Sequence, residues 1–218
     1  HYGFEIPSQP GLTTPQLMDA AGEGNMDVLF AVGGIFREAM PNPKGVDEAL
    51  ANIPLRVHMD IVLSSQMLIE PSETVILLPA MTRYEIPGGV TETSTERRII
   101  FSPEVPGPRI GEARPEWEVL TELVSKVYPE LAEKIRFANT DAMRAEIARV
   151  VPFYKGIEIL QKKGDSVQYG GEMLCKDWNF PTVDGKAHFY ASTLPDDVLA
   201  DNEFMVITRR GKQFNSIV

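Results

Sequence analysis

Three residues in the first half of the sequence have types and positions suited to binding a nucleotide. Gly33 and Gly34 follow an apolar run and permit close approach of a ligand to the main chain. Asp60 follows the next apolar run, where a carboxylate accepts hydrogen bonds from a ribose or from purine N–H groups. The alternatives are an ordinary strand-to-helix turn for the glycines, which lack GxGxxG spacing and a P-loop lysine, and a helix cap for Asp60.

No set of side chains in the sequence forms a catalytic or metal-binding pattern. The histidines His1, His58 and His188 are scattered, and none has a cysteine or glutamate at metal-ligand spacing. Cys175 is the single cysteine, which excludes an internal disulfide, and without a nearby histidine it is expected to be a buried, inert thiol. His188 is expected to be structural. The residues therefore predict a ligand site without chemistry of its own.

Alternating short elements must position these residues. The runs Val28–Val32, Leu55–Met59 and Thr74–Leu78 are bounded by Gly, Pro or Asp and predict buried strands. The segments Val46–Leu50 and Ser64–Ile69 lie between them and predict helices. This alternation predicts an α/β fold, a three-layer, Rossmann-like parallel sheet with flanking helices. Because ligands bind at the carboxyl ends of such strands, the glycine pair and the aspartate are expected at one edge.

The segments around this core have weaker signals. Thr14 followed by Pro15 predicts the N-cap and first residue of a helix that precedes the first strand. Ile35–Met40 predicts a short helical turn. The stretch Thr82–Arg98 predicts a polar functional loop, with a solvated hairpin as the alternative in which its glutamates and arginines pair locally. Ser102–Pro115 is too rich in Pro and Gly for regular structure.

The second half predicts two helices and then irregular structure. Glu116–Leu131 predicts an amphipathic helix. The residues expected to face inward are Trp117, Leu120, Leu123, Val124 and Val127. Thr140 is expected to cap a helix that continues to Val151. Phe180–Tyr190 predicts a hairpin that turns at Asp184-Gly185, and Phe204–Thr208 predicts a short β segment near the C-terminus.

Composition limits the classes of partner. The 218 residues carry 21 Lys plus Arg against 31 Asp plus Glu, a net charge of −10, which argues against nucleic acid or an anionic membrane surface. No apolar run is long enough to cross a bilayer, so membrane insertion is not expected. The low cysteine count fits a reducing compartment, and a cytoplasmic location is expected. We also expect a segment of a longer polypeptide, because an unpaired terminal strand is only marginally stable.

A series of motifs, in order, resembles the molybdopterin-dependent oxidoreductases of the dimethyl-sulfoxide-reductase superfamily, in particular the formate-dehydrogenase-alpha-like branch. The motifs are Asp27–Gly34, Pro41–Pro43, Val57–Ile61, Val75–Pro79, Glu85, Gly89–Thr91, Glu96–Arg98, Gly111–Arg114, Trp117, Phe180–Phe189 and Thr208–Asn215. The resemblance implies that residues 1–200 form the family's third, dinucleotide-binding domain, and that residues 201–218 begin its fourth, β-barrel domain.

The resemblance also implies a cofactor, bis(molybdopterin guanine dinucleotide) with molybdenum or tungsten. One guanosine diphosphate arm would be held by residues of this chain. The implied contacts are Gly33, Gly34, Ile35, Met59, Asp60, Ser64, Glu85 and Glu116. Ile35 departs from the family, which has an asparagine there, and isoleucine offers neither donor nor acceptor.

The implied partners are the remaining domains of the same polypeptide, a small-molecule substrate such as formate, and an electron-transfer subunit. In the family, the iron–sulfur cysteines and the molybdenum ligand lie upstream of the stretch matched here, so this segment alone would not perform the redox step. The residues leave open two other functions, a stand-alone nucleotide-binding module and a structural docking domain, because a fold does not define a function.

Overall fold

A computed structural model describes residues 2–5, 7–193, 199–200 and 202–206. Residues up to Tyr169 form one compact unit, and those from Gly170 onward form another. The α-helices are α1 (Thr14–Gly22), α2 (Phe36–Ala39), α3 (Pro43–Asn52), α4 (Glu116–Val127), α5 (Ala132–Ile135) and α6 (Thr140–Val150). The strands are β1 (Val28–Val32), β2 (Leu55–Asp60), β3 (Thr74–Pro79), β4 (Val90–Thr93), β5 (Arg98–Ser102) and β6 (Ser166–Gln168). The 3₁₀ turns are Ser65–Leu68, Pro129–Leu131, Pro152–Tyr154, Ile157–Ile159 and Lys176–Trp178.

Strands β1, β2 and β3 form a parallel sheet in sequential order, which confirms the predicted α/β fold. Parallel crossovers are right-handed, so two crossovers that step in the same direction lie on the same face of the sheet. The main core forms on that face, where α1 and α3 pack together and against Leu29 of β1 and Ile69. Its buried members are Met18, Ala21, Val46, Ala49, Leu50 and Ile53. The crossover predicted as a helix over Ser64–Ile69 is a 3₁₀ turn, too short to be an α-helix.

The opposite face of the parallel sheet is partly open. The strand register puts Val28, Val32 and Ile76 on the face away from Leu29. These side chains are 54%, 40% and 41% exposed. Parallel sheets normally have both faces covered by other elements. The apolar side chains on this face are of the kind found on a covered face.

A second, antiparallel sheet joins β4, β5 and β6. It packs through Ile99 and Phe101 against Ile157 and Leu160, which are all buried. The prediction of a polar loop over Thr82–Arg98 is therefore wrong for its second part, and the alternative hairpin is closer. Strand β4 contains a single apolar residue, Val90, which is too little to signal a strand, and the three-residue β6 was not predicted.

Two helix caps lie one residue earlier than predicted. Thr13, not Thr14, is the N-cap of α1 and forms a reciprocal capping box with Gln16. Asn139, not Thr140, caps α6, because its side chain accepts a hydrogen bond from the Ala142 N–H at 2.9 Å. In both places the sequence offers two adjacent capping residues, and only the first has the extended backbone that a cap requires.

Helix α4 is shorter and less buried than predicted. It ends at Val127, and the 3₁₀ turn Pro129–Leu131 follows. The expectation that its apolar residues all face inward is wrong, because Leu120, Leu123 and Val127 are 38%, 42% and 58% exposed. None of the described helices has the length and apolar character that crossing a membrane requires.

The unit from Gly170 onward has little regular structure among its described residues. The hairpin predicted over Phe180–Tyr190 is limited to its turn, where the Gly185 N–H donates to the Thr182 carbonyl at 3.1 Å without flanking strands. Cys175 is exposed, which corrects its predicted burial. His188 is also exposed and contacts Asp184 at 2.8 Å.

The predicted C-terminal elements are only partly within the described residues. Positions 204–206 have no strand conformation, and the rest of the β segment predicted over Phe204–Thr208 lies outside the described part of the chain. The predicted start of a β-barrel domain, residues 201–218, likewise falls mostly outside it. The domain boundary near residue 200 stays a prediction.

Candidate functional site

Gly33 and Gly34 form a left-handed turn at the carboxyl end of β1. Their φ angles are +69° and +92°, in the region that glycine adopts without strain. The Gly33 N–H donates to the Met59 carbonyl at 2.8 Å, which ties the turn to β2. No heavy atom lies within 4 Å of the position that a Cβ on Gly33 would take. Backbone conformation therefore requires this glycine, and the space beside it is open to a ligand.

Gln66, in the crossover between β2 and β3, holds this turn in place, and no sequence pattern predicted that role. Its side chain is 1% exposed and donates from Nε2 to the Gly34 carbonyl at 2.8 Å. Its Oε1 accepts from the Arg37 N–H at 3.4 Å. Arg37 in turn forms a two-point ion pair with Asp47 of α3. The glycine turn and α2 are thus held between two crossovers.

The Gln66→Leu substitution should lower the free energy of unfolding by about 1–3 kcal/mol, because it leaves the Gly34 carbonyl without its buried donor. Urea unfolding followed by circular dichroism measures this loss. Gln9→Leu is the control, since Gln9 is exposed. Equal stabilities of the Gln66 and Gln9 variants would show that Gln66 does not hold the turn.

Asp60 lies at the carboxyl end of β2, paired in register with Pro79. One carboxylate oxygen accepts from the N–H of Ile61 at 2.7 Å, and Ser64, not Asp60, occupies the N-cap position of the following 3₁₀ turn. The capping role considered for Asp60 is therefore not observed. A cavity of about 180 Å³ opens beside it. Its lining residues are His58, Asp60, Ile61, Val62, Leu63, Met67, Leu77, Leu78 and Pro79. We call this cavity the strand-end slot.

Two buried basic residues of β2 were not among the predicted contacts: His58, which lines the slot, and Arg56, two residues earlier on the same strand. Arg56 and His58 are 0% and 1% exposed and share the face of Asp60, because side chains alternate along a strand. Arg56 donates to the carbonyls of Gln66, at 3.2 Å, and Ile69. Burial, and then the charge of Arg56, lower the pKa of His58, so its imidazole is neutral near pH 7. The sequence feature that could have indicated this role is Arg56, a charged residue inside a mostly apolar strand.

Glu116 is the predicted contact that the structure connects to Asp60. It is the first residue of α4. Desolvation by the surrounding protein raises the pKa of its carboxyl, and the negative charge of Asp60 raises it further. The negative charge of Asp60 thus acts on the Glu116 carboxyl across the site. Such an arrangement suits a ligand with several N–H donors, which would relieve their repulsion.

Glu116 should make the protein less stable as the pH rises. Its pKa is higher in the folded chain than the usual 4.5, so the folded state holds the proton more tightly than the unfolded state. Its stabilising contribution is complete below the unfolded pKa and is lost as the pH rises through the folded pKa. Glu116→Gln should therefore raise the melting temperature more at pH 7.5 than at pH 4.5. Glu118→Gln, two residues along α4, is the control, and an equal pH-dependent gain there would contradict this assignment.

The remaining predicted contacts have other environments. Glu85 accepts hydrogen bonds from the hydroxyl and N–H of Thr82, at 2.7 and 2.9 Å, and these bonds lower its pKa. It therefore closes its own turn, and the local pairing with arginine considered for it is not seen. The Met59 side chain is fully buried, while Ile35 is 51% exposed. The Ser64 hydroxyl is buried without a partner among the described residues.

The sequence is similar over most of its length to oxidoreductase subunits. It is 28% identical over 224 residues to the F420-dependent formate dehydrogenase subunit alpha of Methanocaldococcus jannaschii, covering 96% of this chain and 31% of that protein. It is 28% identical over 218 residues to the F420-dependent formate dehydrogenase 2 subunit alpha of Methanococcus maripaludis, covering 95% and 30%. A nitrate reductase of Synechocystis is 27% identical over 205 residues, covering 84% and 27%. No family model matches the sequence.

These similarities relate the chain to a segment of larger oxidoreductase proteins. It spans about 30% of the length of the curated relatives it matches. Formate dehydrogenases and nitrate reductases of this kind are members of the molybdopterin oxidoreductase superfamily, so these similarities confirm the resemblance of the motifs to that superfamily.

Proposed function

We propose that this chain holds one guanosine diphosphate arm of bis(molybdopterin guanine dinucleotide) in a molybdenum or tungsten oxidoreductase of the formate dehydrogenase type. The observation that carries the proposal is the strand-end slot, an apolar cavity of about 180 Å³ with the Asp60 carboxylate at the carboxyl end of a parallel strand. Ligands of open α/β sheets bind in this position.

The slot has the chemistry that a guanine base needs. Ile61, Leu63 and Leu77 offer apolar walls to a flat ring. Asp60 has a hydrogen bond from Ile61 on one oxygen only among the described residues, which leaves acceptor capacity for the N1–H and N2–H groups of guanine. Adenine presents an acceptor at the same edge, so a carboxylate here favours guanine.

The glycine turn would serve the ribose or diphosphate through its main chain. The open space at Gly33 supports close approach of a ligand. Helix α2 has four residues, so its dipole adds little attraction for phosphate. Ile35 brings no polar group to the turn, so the nucleotide would depend more on Asp60 and Glu116 than in relatives with an asparagine there.

When bound, the cofactor's metal would exchange two electrons with a small substrate such as formate. The residues of this chain would bind and orient the nucleotide arm, and the group itself would supply the redox chemistry. The remaining domains of the same polypeptide, an upstream iron–sulfur cluster and an electron-transfer subunit complete this proposal, in a cytoplasmic enzyme. The alpha-subunit names of two relatives support the presence of other subunits.

Calorimetric titration of the 218-residue chain with GDP, and separately with ADP, tests the proposal. GDP should bind saturably, and ADP should bind at least about tenfold more weakly, because a mismatched donor–acceptor edge costs more than 1 kcal/mol. Equal affinities for the two nucleotides, or no heat with GDP, would contradict guanine binding in the slot.

A further inference from the structure

A second cavity, separate from the strand-end slot, lies between α4, α6 and the hairpin of β4. Its volume is about 270 Å³. Its lining residues are Ile86, Val90, Thr91, Glu116, Trp117, Thr140, Met143, Arg144 and Ile147. We call it the α4–α6 cavity. The walls are mainly apolar, but an arginine and an indole also line it.

Arg144 is buried with much of its hydrogen-bonding capacity unused. The residue is 3% exposed, and its guanidinium carbon lies 4.9 Å from the centre of the Phe101 ring. Nη2 donates to the carboxylate of Asp141, one turn earlier on α6. Nε and Nη1 have no hydrogen-bond partner among the described residues. A buried guanidinium normally has its N–H groups paired, so these two positions require an acceptor.

The indole N–H of Trp117 is a second buried donor that lacks an acceptor among the described residues. Its Nε1 is buried and has no acceptor within the described part of the chain. Glu116 also lines the cavity but does not serve Arg144, since an arginine partner would lower its pKa, whereas that pKa is raised. Two kinds of N–H donor, one of them charged, thus line one cavity without an acceptor.

We propose that the α4–α6 cavity binds a small oxyanion, a carboxylate or a phosphate, through the guanidinium of Arg144 and the indole N–H of Trp117. A guanidinium N–H and an indole N–H together suit the oxygens of such a group, because a hydrogen bond from a charged donor to an anion is a strong one. The Phe101 ring beneath the guanidinium and the Asp141 pair hold its orientation. This site does not depend on the nucleotide-binding function proposed above.

The two tryptophans allow a direct test by nuclear magnetic resonance. Trp178 is 84% exposed and is not among the residues that line the cavity, so its indole N–H is an internal reference. The ¹⁵N-labelled chain is titrated with sodium phosphate and with sodium acetate at constant ionic strength, with chloride as the reference salt. The Trp117 indole resonance, assigned with Trp117→Phe, should shift saturably with phosphate, acetate or both, while that of Trp178 should not.

Variants identify the arginine. Arg144→Met should weaken the anion affinity at least about tenfold, because it removes the charge and two donors but keeps an apolar stem over Phe101. Arg144→Lys keeps the charge and should therefore retain part of the affinity. It takes the place of Arg144→Met as the test if that variant fails to fold. Arg149→Met changes an exposed residue of α6 that pairs with Glu146, and it should leave the affinity unchanged.

The outcomes of the titrations distinguish a phosphate from a carboxylate ligand and show whether the cavity binds an anion at all. Saturation with phosphate alone assigns a phosphate, and saturation with acetate alone assigns a carboxylate. Absence of a saturable Trp117 shift with both anions overturns the proposal, as does an unchanged affinity in Arg144→Met.

Discussion

The Asp60→Ala substitution should weaken GDP binding by about 10- to 100-fold, because hydrogen bonds to a carboxylate are worth about 1.5–3 kcal/mol. Calorimetry on the folded variant measures the change. Asp60 has few structural contacts, since its side chain accepts only the Ile61 N–H among the described residues. The fold should therefore persist, and the loss should appear in affinity and not in the melting temperature.

Asp27→Ala is the matched control for this substitution. Asp27 is exposed and precedes β1, at the opposite end of the sheet, so its removal changes the net charge by the same amount without touching the slot. If both variants bind GDP as the unmodified chain does, the nucleotide lies elsewhere. If both weaken binding equally, the effect is general electrostatics and not recognition by Asp60.

The Gly89→Ala substitution should lower the free energy of unfolding by about 3–5 kcal/mol, the largest loss expected in this chain. Gly89 has a φ of +71° at the start of β4. A Cβ there would lie 2.6 Å from the Ser102 carbonyl oxygen and 2.7 Å from the Phe101 ring. The first of these atoms belongs to the paired strand, so the hairpin itself must shift. Urea unfolding provides the measurement.

Gly24→Ala separates backbone strain from collision. Gly24 has a similar φ of +75°, but no heavy atom lies within 4 Å of its Cβ position. It should lose only about 1–2 kcal/mol, the cost of a left-handed conformation for alanine. A Gly89 variant no less stable than the Gly24 variant would show that the contact with β5 is relieved without cost.

The sequence was sufficient for the parts of the site that local chemistry determines. The ends of the apolar runs located Gly33 and Asp60 correctly at one edge of a parallel sheet, since strand ends and turns depend on neighbouring residues. Gln66 was missed because its partner, the Gly34 carbonyl, is 32 residues away. Arg144 was not assigned to any site, because charge and periodicity do not reveal which side of a short helix is covered.

Errors in the fold have a similar origin. The periodicity of α4 correctly gave a helix, but burial of Leu120 and Leu123 depends on what packs against them, and periodicity carries no information on that. The parallel strands were long, apolar and clearly bounded. Strands β4 and β6 have only four and three residues and are mixed in polarity, and β6 pairs with β5 across three intervening α-helices. Sequence patterns predict a strand less well when its pairing partner lies farther away along the chain.

The strand order has a consequence for the time course of folding. In the parallel sheet each strand pairs with the next one along the chain, so every pairing closes a comparatively short loop. β6 must instead return to β5 after α4, α5 and α6, and longer closures cost more entropy and slow the step. In pulse-labelling during refolding, the amides of β2 should therefore become protected from exchange before those at the β5–β6 pairing.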